Sequence, residues 1–588
     1  MRFIGAFEDL KLKLSSLEEL GEWSQLNGNQ YQFRTMSRGI LNWYPSTGGF
    51  FFQGRTEPME QLKRLVGEIL DADDEGPPSI EEKAEIDAAF DALSVEDDSI
   101  QESYLNDSYS DSELVIGLVG SVGTDLRSVS GIIEDRLKAF SYTCRVVKVS
   151  SDVIDEMVEV KLPPNGGEYE RISTYMTEGN SLRKKYKDRS ILALGAAAKI
   201  NQIREGAALR RNAFIISSLK TPYEVQRLRK IYSQGFFLIG VHADLARRRK
   251  YLMDDLRMSE EKASNLIMRD ADEDDPDGQH TRDTYHLSDF FVNYDGSGDS
   301  LKAQLWRVID ILFGQPYVTP TFDEYAMFMA FSASLRSADL SRQVGAVLTR
   351  DEGIISTGAN DVPKAGGGLY WPELDPESHK VVDVKDGRDY CRGVDSNAAQ
   401  KSLIVDDILE KVPAEYRSTL APILKKSRIK DITEYGRVVH AEMEALLSAA
   451  RAGVSPKSAT LYCTTFPCHN CAKHIIAAGI KRVVYVEPYP KSKAQEFHSD
   501  SISLKKDGDG VFFDPFIGVG PRSFFNLFST NLGSGYPITR KTDDGQKVDW
   551  MEADAKLRTQ MLPCSYMERE RIAGSLLSRY LNGDGDER

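Results

Sequence analysis

Four residues in two short stretches carry the chemistry this sequence is equipped for. His440 and Glu442 stand in "HAE", and Cys468 and Cys471 stand three apart in "FPCHNC". One imidazole and two thiolates make three protein ligands for a metal. Three ligands plus an open position is the pattern of catalytic zinc, whereas structural zinc takes four. Zinc lowers the pKa of its bound water toward ~7. Glu442 is close enough to a ligand to reach that water without being one, and suits a proton carrier. Pro467 fixes the turn that presents both thiols, and a helix starting there favours thiolate over thiol. The cysteine pair has two other readings, a thioredoxin-like redox pair and a disulfide staple. Neither calls for "HAE" upstream, and six cysteines in 588 residues are too sparse for a disulfide framework. Cys463, in "LYCTT", reads as a buried strand cysteine. His469 and His474 read as neighbours of the site or surface residues, and Cys144, Cys391 and Cys564 have no ligand-like neighbours.

The elements around these residues alternate. "FDEYAMFMAFSASLRSA" has helical spacing, and "QVGAVLTR" and "GIISTGAN" form a strand pair. After a long insertion at 364–435, "HAEMEALLSAARAG" is a helix, "SATLYCTT" a strand, "CHNCAKHIIAAG" a helix and "KRVVYVEP" a strand. Both halves of the ligand set therefore sit on consecutive helices, the second led by a strand.

The order H-x-E…P-C-x-x-C is a zinc deaminase signature. Residues 321–490 resemble the cytidine/deoxycytidylate deaminase superfamily, through "SLRSADLSRQVGAVLTRDEGIISTGAN", "HAEMEALL" and "FPCHNCAKHIIAAGIKRVVYVEP". With the domain in front, the arrangement is similar to bacterial anti-phage dCTP/dCMP deaminases. That resemblance implies zinc on His440, Cys468 and Cys471, proton transfer by Glu442, and deamination of dCTP or dCMP that depletes the deoxycytidine nucleotide pool. It places Asn360 at the sugar and Ala441 at the base pocket. Glu444 stands where that branch has asparagine; a solvated helix glutamate is the other reading. Arg336, Ser341, Arg342 and Gln343 are phosphate candidates, because arginine pairs grip phosphates; surface arginines at a helix end are the alternative. Lys364, Lys491 and Lys493 are further candidates. "KAGGGLYWPEL" suggests a cover or an oligomer contact, and "DPFIGVGPRSFF" an aromatic wall or ordinary core. The family implies a homo-oligomer. An inhibitory RNA or protein is an expected brake.

Ahead of this lies a βαβ rhythm over 113–318: "ELVIGLVG", "CRVVKVS", "NAFIISSL" and "FFLIGVHA" as strands, with helices between. "GLVGSVGTDLRS" has the context of a phosphate loop and resembles that of nucleotide and dephospho-coenzyme A kinases. Leu126 and Arg127 replace the expected Lys-Ser/Thr, with Asp125 at the last glycine, so the loop is degenerate. Gly120, Ser121 and Gly123 remain as backbone donors for a regulatory nucleotide, with Arg248 and Arg249 as added contacts; a scaffold is the other reading. Residues 1–70 read as a small α+β module, in which "GNQYQFRTMSRGILNWYPSTGGFFFQG" is a strand, a turn at 45–48 and a strand, similar to substrate-binding domains at the front of some ribonucleases H, or as an assembly module. Residues 71–112 read as an acidic linker. The fold class expected is thus α/β: the small module, a degenerate P-loop kinase-like parallel-sheet domain, then at 319–588 a deaminase-like three-layer α/β/α domain.

Net charge −16 argues against a large nucleic-acid surface, and so against polynucleotide editing, the first alternative function. A non-enzymatic nucleotide-sensing assembly is the second; Glu442 argues against it, since a scaffolding zinc needs no proton carrier. The sequence has no signal peptide or apolar span, which points to the cytoplasm and no membrane partner.

Overall fold

The computed structural model describes residues 3, 7–71 and 111–582, apart from 16, 18–20, 28–29, 36–38, 45–48, 55, 165, 205–206, 272–276, 488–491, 507 and 534. The expected linker falls almost wholly outside these residues, as do the predicted turn at 45–48 and Lys491. The chain divides into two units, Met1–Asn106 and Asp107–Arg588.

The first unit is an antiparallel four-stranded meander, β1 (Gly21–Asn27), β2 (Gln30–Thr35), β3 (Gly39–Tyr44) and β4 (Gly49–Gly54), with helices Phe7–Lys13 and Thr56–Asp71. "GNQYQFRTMSRGILNWY", expected to begin with one strand before the turn, folds as two. Alternation buries Leu41 and Trp43 on one face, where Leu62, Leu65 and Val66 of the second helix cover them.

The second unit holds two six-stranded sheets. The first contains β5 (Leu114–Gly120), β6 (Thr143–Lys148), β7 (Asn212–Ser217), β8 (Phe236–His242) and β9 (Phe290–Asn293), all parallel, in the order β9-β8-β5-β7-β6. β5 is buried along its whole length, as a central parallel strand must be. Each face carries its own apolar cluster under helices.

The second sheet contains β10 (Gly345–Arg350) and β11 (Gly353–Ala359). After the insertion, with its hairpin of β12 (Glu373–Leu374) and β13 (Val381–Val382), come β14 (Thr460–Thr465), β15 (Arg482–Glu487), β16 (Ile502–Ser503) and β17 (Val511–Pro515). The order is β11-β10-β14-β15-β17-β16. β10 pairs antiparallel with both β11 and β14, and the remaining pairs are parallel. Helix Phe322–Ser334 covers one face; helices Ala441–Arg451 and His469–Ala477 cover the other, so this region has three layers.

The tail departs from the expected boundary at 318. β18 (Gly518–Val519) pairs with β9 and closes the first sheet on its antiparallel edge. Helix Pro563–Asn582 packs on helix Ile191–Arg204, where Arg204 lies buried between Glu113 and Glu570. Phe291 of β9 shares a core with Val347, Tyr462 and Val484 of the second sheet. Buried Glu324 binds Arg307 at 2.7 Å and accepts from the Val519 amide at 2.7 Å, which stitches both sheets to the tail. The stretch "DPFIGVGPRSFF" is core rather than a wall over the site: Phe516 is buried, and Phe524 stacks on Phe328 at 4.3 Å.

Candidate active site

His440 ends an extended segment and caps the helix Ala441–Arg451. A bridge between Val439 and Asp361, with amide–carbonyl bonds of 3.0 and 3.3 Å, holds it beside the end of β11. Close approach of β11 to that helix requires Gly358: a Cβ there would lie 2.1 Å from the Ala441 carbonyl oxygen. Cys468 caps the next helix, His469–Ala477, and its Sγ accepts from the Cys471 amide at 3.4 Å. Two helix starts thus present three donors to one point.

His440 Nδ1 lies 3.3 Å from each of the two Sγ atoms, and all three ligand atoms fall within 4.8 Å of one another. Zn–N and Zn–S bonds of about 2.0 and 2.3 Å in a tetrahedron put N and S about 3.5 Å apart. The donor set and its spacing therefore fit zinc. Among the described residues this is the one cluster of its kind. Cys468 is pulled down to about 4, first by its hydrogen bond with Cys471 and then by His440, against burial. His440 is pushed up to about 9, first by its bond to Cys468. Burial raises Cys471 as well, so His440 and Cys471 both favour their protonated forms, and metal binding would displace both protons.

Glu442 is 4 % exposed, and burial, with the charge of Cys468, raises its pKa. Cys463 is fully buried beside it, the strand cysteine expected. The cluster and Glu442 adjoin a cavity of about 400 Å³. Ala441, Phe466 and Thr465 line it on the sheet side, with Asn360, Ser341 and Arg342.

The structure brings some of the candidates to this cavity and not others. Arg336 does not line it: its guanidinium stacks on Trp371 at 3.6 Å and donates to the Tyr370 carbonyl. Gln343 donates to the Ser337 carbonyl at 3.0 Å, Lys493 pairs with Glu496, and Lys364 is exposed away from the cavity. Arg342 lines the wall but is tied to Glu487 at 2.5 Å. The Asn360 amide is engaged at both ends, accepting from the Val344 amide at 2.7 Å and donating to the Arg342 carbonyl at 2.8 Å. It shapes the wall that carries Arg342. Glu444 is not solvated: it is buried and paired with Arg451 at 2.5 Å. Gly120 ends β5 of the first sheet, Ser121 and Gly123 lie in the turn after it, and none of the three lines this cavity.

The opposite wall comes from the insertion: Asp389, Asp395, Asn397, Lys401, Lys430, Asp431 and Thr433. No sequence signal singled these out. Asp389 pairs with Arg437 at 2.7 Å, Asp395 caps its helix at the Ala398 amide, and Asp339 accepts from the Ser341 and Arg342 amides. Lys401 donates to the Lys430 carbonyl at 3.2 Å, and both residues line the cavity.

A His-Cys-Cys donor set beside a buried glutamate is the arrangement that the zinc deaminase signature describes. Residues 320–487 match the family model "Cytidine and deoxycytidylate deaminase zinc-binding region". The deoxycytidylate deaminase of Enterobacteria phage T4 is 34% identical over 167 residues, 28% of this chain and 77% of that protein. That of Saccharomyces cerevisiae is 27% identical over 273 residues, 45% of this chain and 71% of that protein. The chain belongs to the cytidine and deoxycytidylate deaminase family. Among solved structures, the cyanophage S-TIM5 dCMP deaminase in complex with dCMP and dUMP is similar at 20% identity and a TM-score of 0.20, covering 34% of this chain and 100% of that one.

Proposed function

We propose that this chain hydrolytically deaminates free deoxycytidine nucleotides, dCMP or dCTP, to the uracil nucleotides and ammonia. The observation that carries this is the meeting of His440 Nδ1 and two thiols beside buried Glu442 on a cavity of nucleotide size. Zinc held by His440, Cys468 and Cys471 would supply an activated water near neutral pH. Glu442 would take one proton from water and deliver it to the ring nitrogen as the oxygen adds at C4, then move the second proton, from the new C4 hydroxyl, to the departing amine. One water is consumed and one ammonia released. Ala441 and Phe466 line the base end, and Asn360 positions the Arg342 wall.

Lys401, Lys430 and Arg342 hold the phosphates. They are the lysines and arginine that line the cavity, and the neighbouring Asp339, Asp389 and Asp395 have amide or arginine partners. The antiviral role, the homo-oligomer and an RNA or protein brake belong to the same reading, supported by the order of a glycine-loop sheet ahead of the deaminase region. Among the described residues no helix is long and apolar enough to cross a membrane. Incubation of zinc-loaded protein with dCMP, dCTP, CTP and a cytosine oligonucleotide, with uracil products followed by chromatography, tests the reading. Turnover of the oligonucleotide alone would overturn it in favour of editing.

A further inference from the structure

The turn after β5 has the context of a phosphate loop, yet several amides of the turn and the helix that follows it already have acceptors within the chain. The Thr124 amide donates to the Ser121 carbonyl at 3.0 Å, and the Ser128 amide to Asp125 Oδ1 at 3.1 Å. The Val122 amide donates at 2.8 Å to Oδ2 of Asp270, a residue 148 positions away near the end of helix Glu260–Ala271.

Asp270 is fully buried, so its charge needs partners. Its Oδ1 accepts from Lys220 Nζ at 2.8 Å and from Thr281 Oγ1 at 3.1 Å. The same ammonium donates to the Gly120 carbonyl at 2.9 Å, which pins it to the loop. A backbone amide of a glycine turn, a lysine and a hydroxyl is the donor set a phosphate loop offers a nucleotide. Lys220 enters from the end of β7 and stands in for the lysine missing from the loop itself. On the other side the loop is covered. Gly123 has φ +90°, and a Cβ there would lie 2.7 Å from the Arg248 carbonyl oxygen. Arg248 also donates to the Val122 carbonyl at 3.4 Å.

We infer that Asp270 is an internal ligand of the glycine loop. Its carboxylate holds the anion position, and a polyphosphate enters only by displacing it. An intramolecular ligand competes at an effective concentration of millimolar or more, so the loop stays self-occupied at ordinary nucleotide levels. On this inference the turn that holds Gly120, Ser121 and Gly123 is closed by a carboxylate at the Val122 amide, where the sequence reading left it open to a regulatory nucleotide. The inference does not depend on the reaction at the zinc-ligand cluster.

The test uses the full chain and pyrophosphate, read by hydrogen exchange at residues 118–128, so that binding in the other cavity does not register. In the wild type, exchange there is expected to be slow and unchanged by millimolar pyrophosphate. In Asp270→Ala the segment is expected to exchange faster and to be protected by pyrophosphate, with an affinity at least ~10-fold above the wild type. Asp270→Asn, which keeps the shape and loses the charge, is expected to lie between. Adding Lys220→Ala to Asp270→Ala is expected to abolish the gain. Protection of the wild-type segment by micromolar pyrophosphate would overturn the inference, and so would folded Asp270→Ala and Asp270→Asn proteins that bind no better than the wild type. The wild-type measurement decides even where a variant does not fold.

Discussion

At the scale of single residues, the site separates donors that hold from one that moves a proton. His440, Cys468 and Cys471 aim at one point, while Glu442 stands buried beside them on the cavity wall. Glu442→Gln should therefore keep the bound zinc, by metal analysis, and lose roughly 10²–10⁴-fold in kcat. In the proposed reading, Lys401 and Lys430, which line the cavity, hold the phosphate of the substrate. Hydrogen bonds to charged groups are worth about 1.5–3 kcal/mol, so removing both ammonium groups should raise KM for dCMP by about 10–100-fold or more. Turnover of deoxycytidine, which has no phosphate, should not change. A uniform loss on both substrates would mean that the lysines only support the wall. The metal donors were legible in sequence because each half is local: two short motifs, each at a helix start. Arg336 was misplaced because the direction of its side chain depends on Trp371, part of the insertion and far from it in sequence. Glu444 looked solvated on its helix; Arg451, two turns on, accounts for its burial.

At the scale of elements, the insertion at 364–435 is a wall, fastened at its base by charges. Arg388 reaches Asp361 at 3.3 Å and Asp383 at 3.0 Å, all three nearly buried, and Arg336 stacks on Trp371. Asp361 also holds Val439, the residue before His440, so the anchor of the wall and the anchor of the metal donor meet at one strand end. Arg388→Ala would leave Asp383 without its cation and buried Asp361 with only Arg336, at 4.0 Å, a local cost of about 3–5 kcal/mol. The expected result is faster hydrogen exchange across 364–392 and a higher KM for nucleotides, with the zinc content retained. Slow exchange in the variant would contradict the role of this anchor. The strands and helices of both sheets followed their apolar periods and could be read from sequence. The insertion could be read only as a cover, because its helices Ser396–Glu410 and Ala414–Lys426 are poor in buried side chains. Their place is set by the cavity they close.

At the scale of the whole second unit, the tail makes one body of what the sequence divides. β18 is only two residues long, too short to carry a period, and its partner β9 lies more than two hundred residues earlier. The Arg204–Glu113–Glu570 group seals the last helix to the first sheet with no exposed side chain. Arg204→Ala strands two carboxylates and should destabilise this unit by about 3–5 kcal/mol, seen as a lower melting temperature of the full chain. Deleting 517–588 should give insoluble protein, since Val519, Leu527, Leu557 and Tyr566 fill the cores of the first sheet. A soluble, folded product would show that the tail is an accessory.

The most direct measurement is the turnover of dCMP and dCTP by the full zinc-loaded chain beside Glu442→Gln of equal zinc content. The account predicts uracil nucleotide and equimolar ammonia from the wild type and a loss of at least ~10²-fold in the variant. Equal turnover by the two proteins, or turnover of a cytosine oligonucleotide but of neither nucleotide, would contradict it.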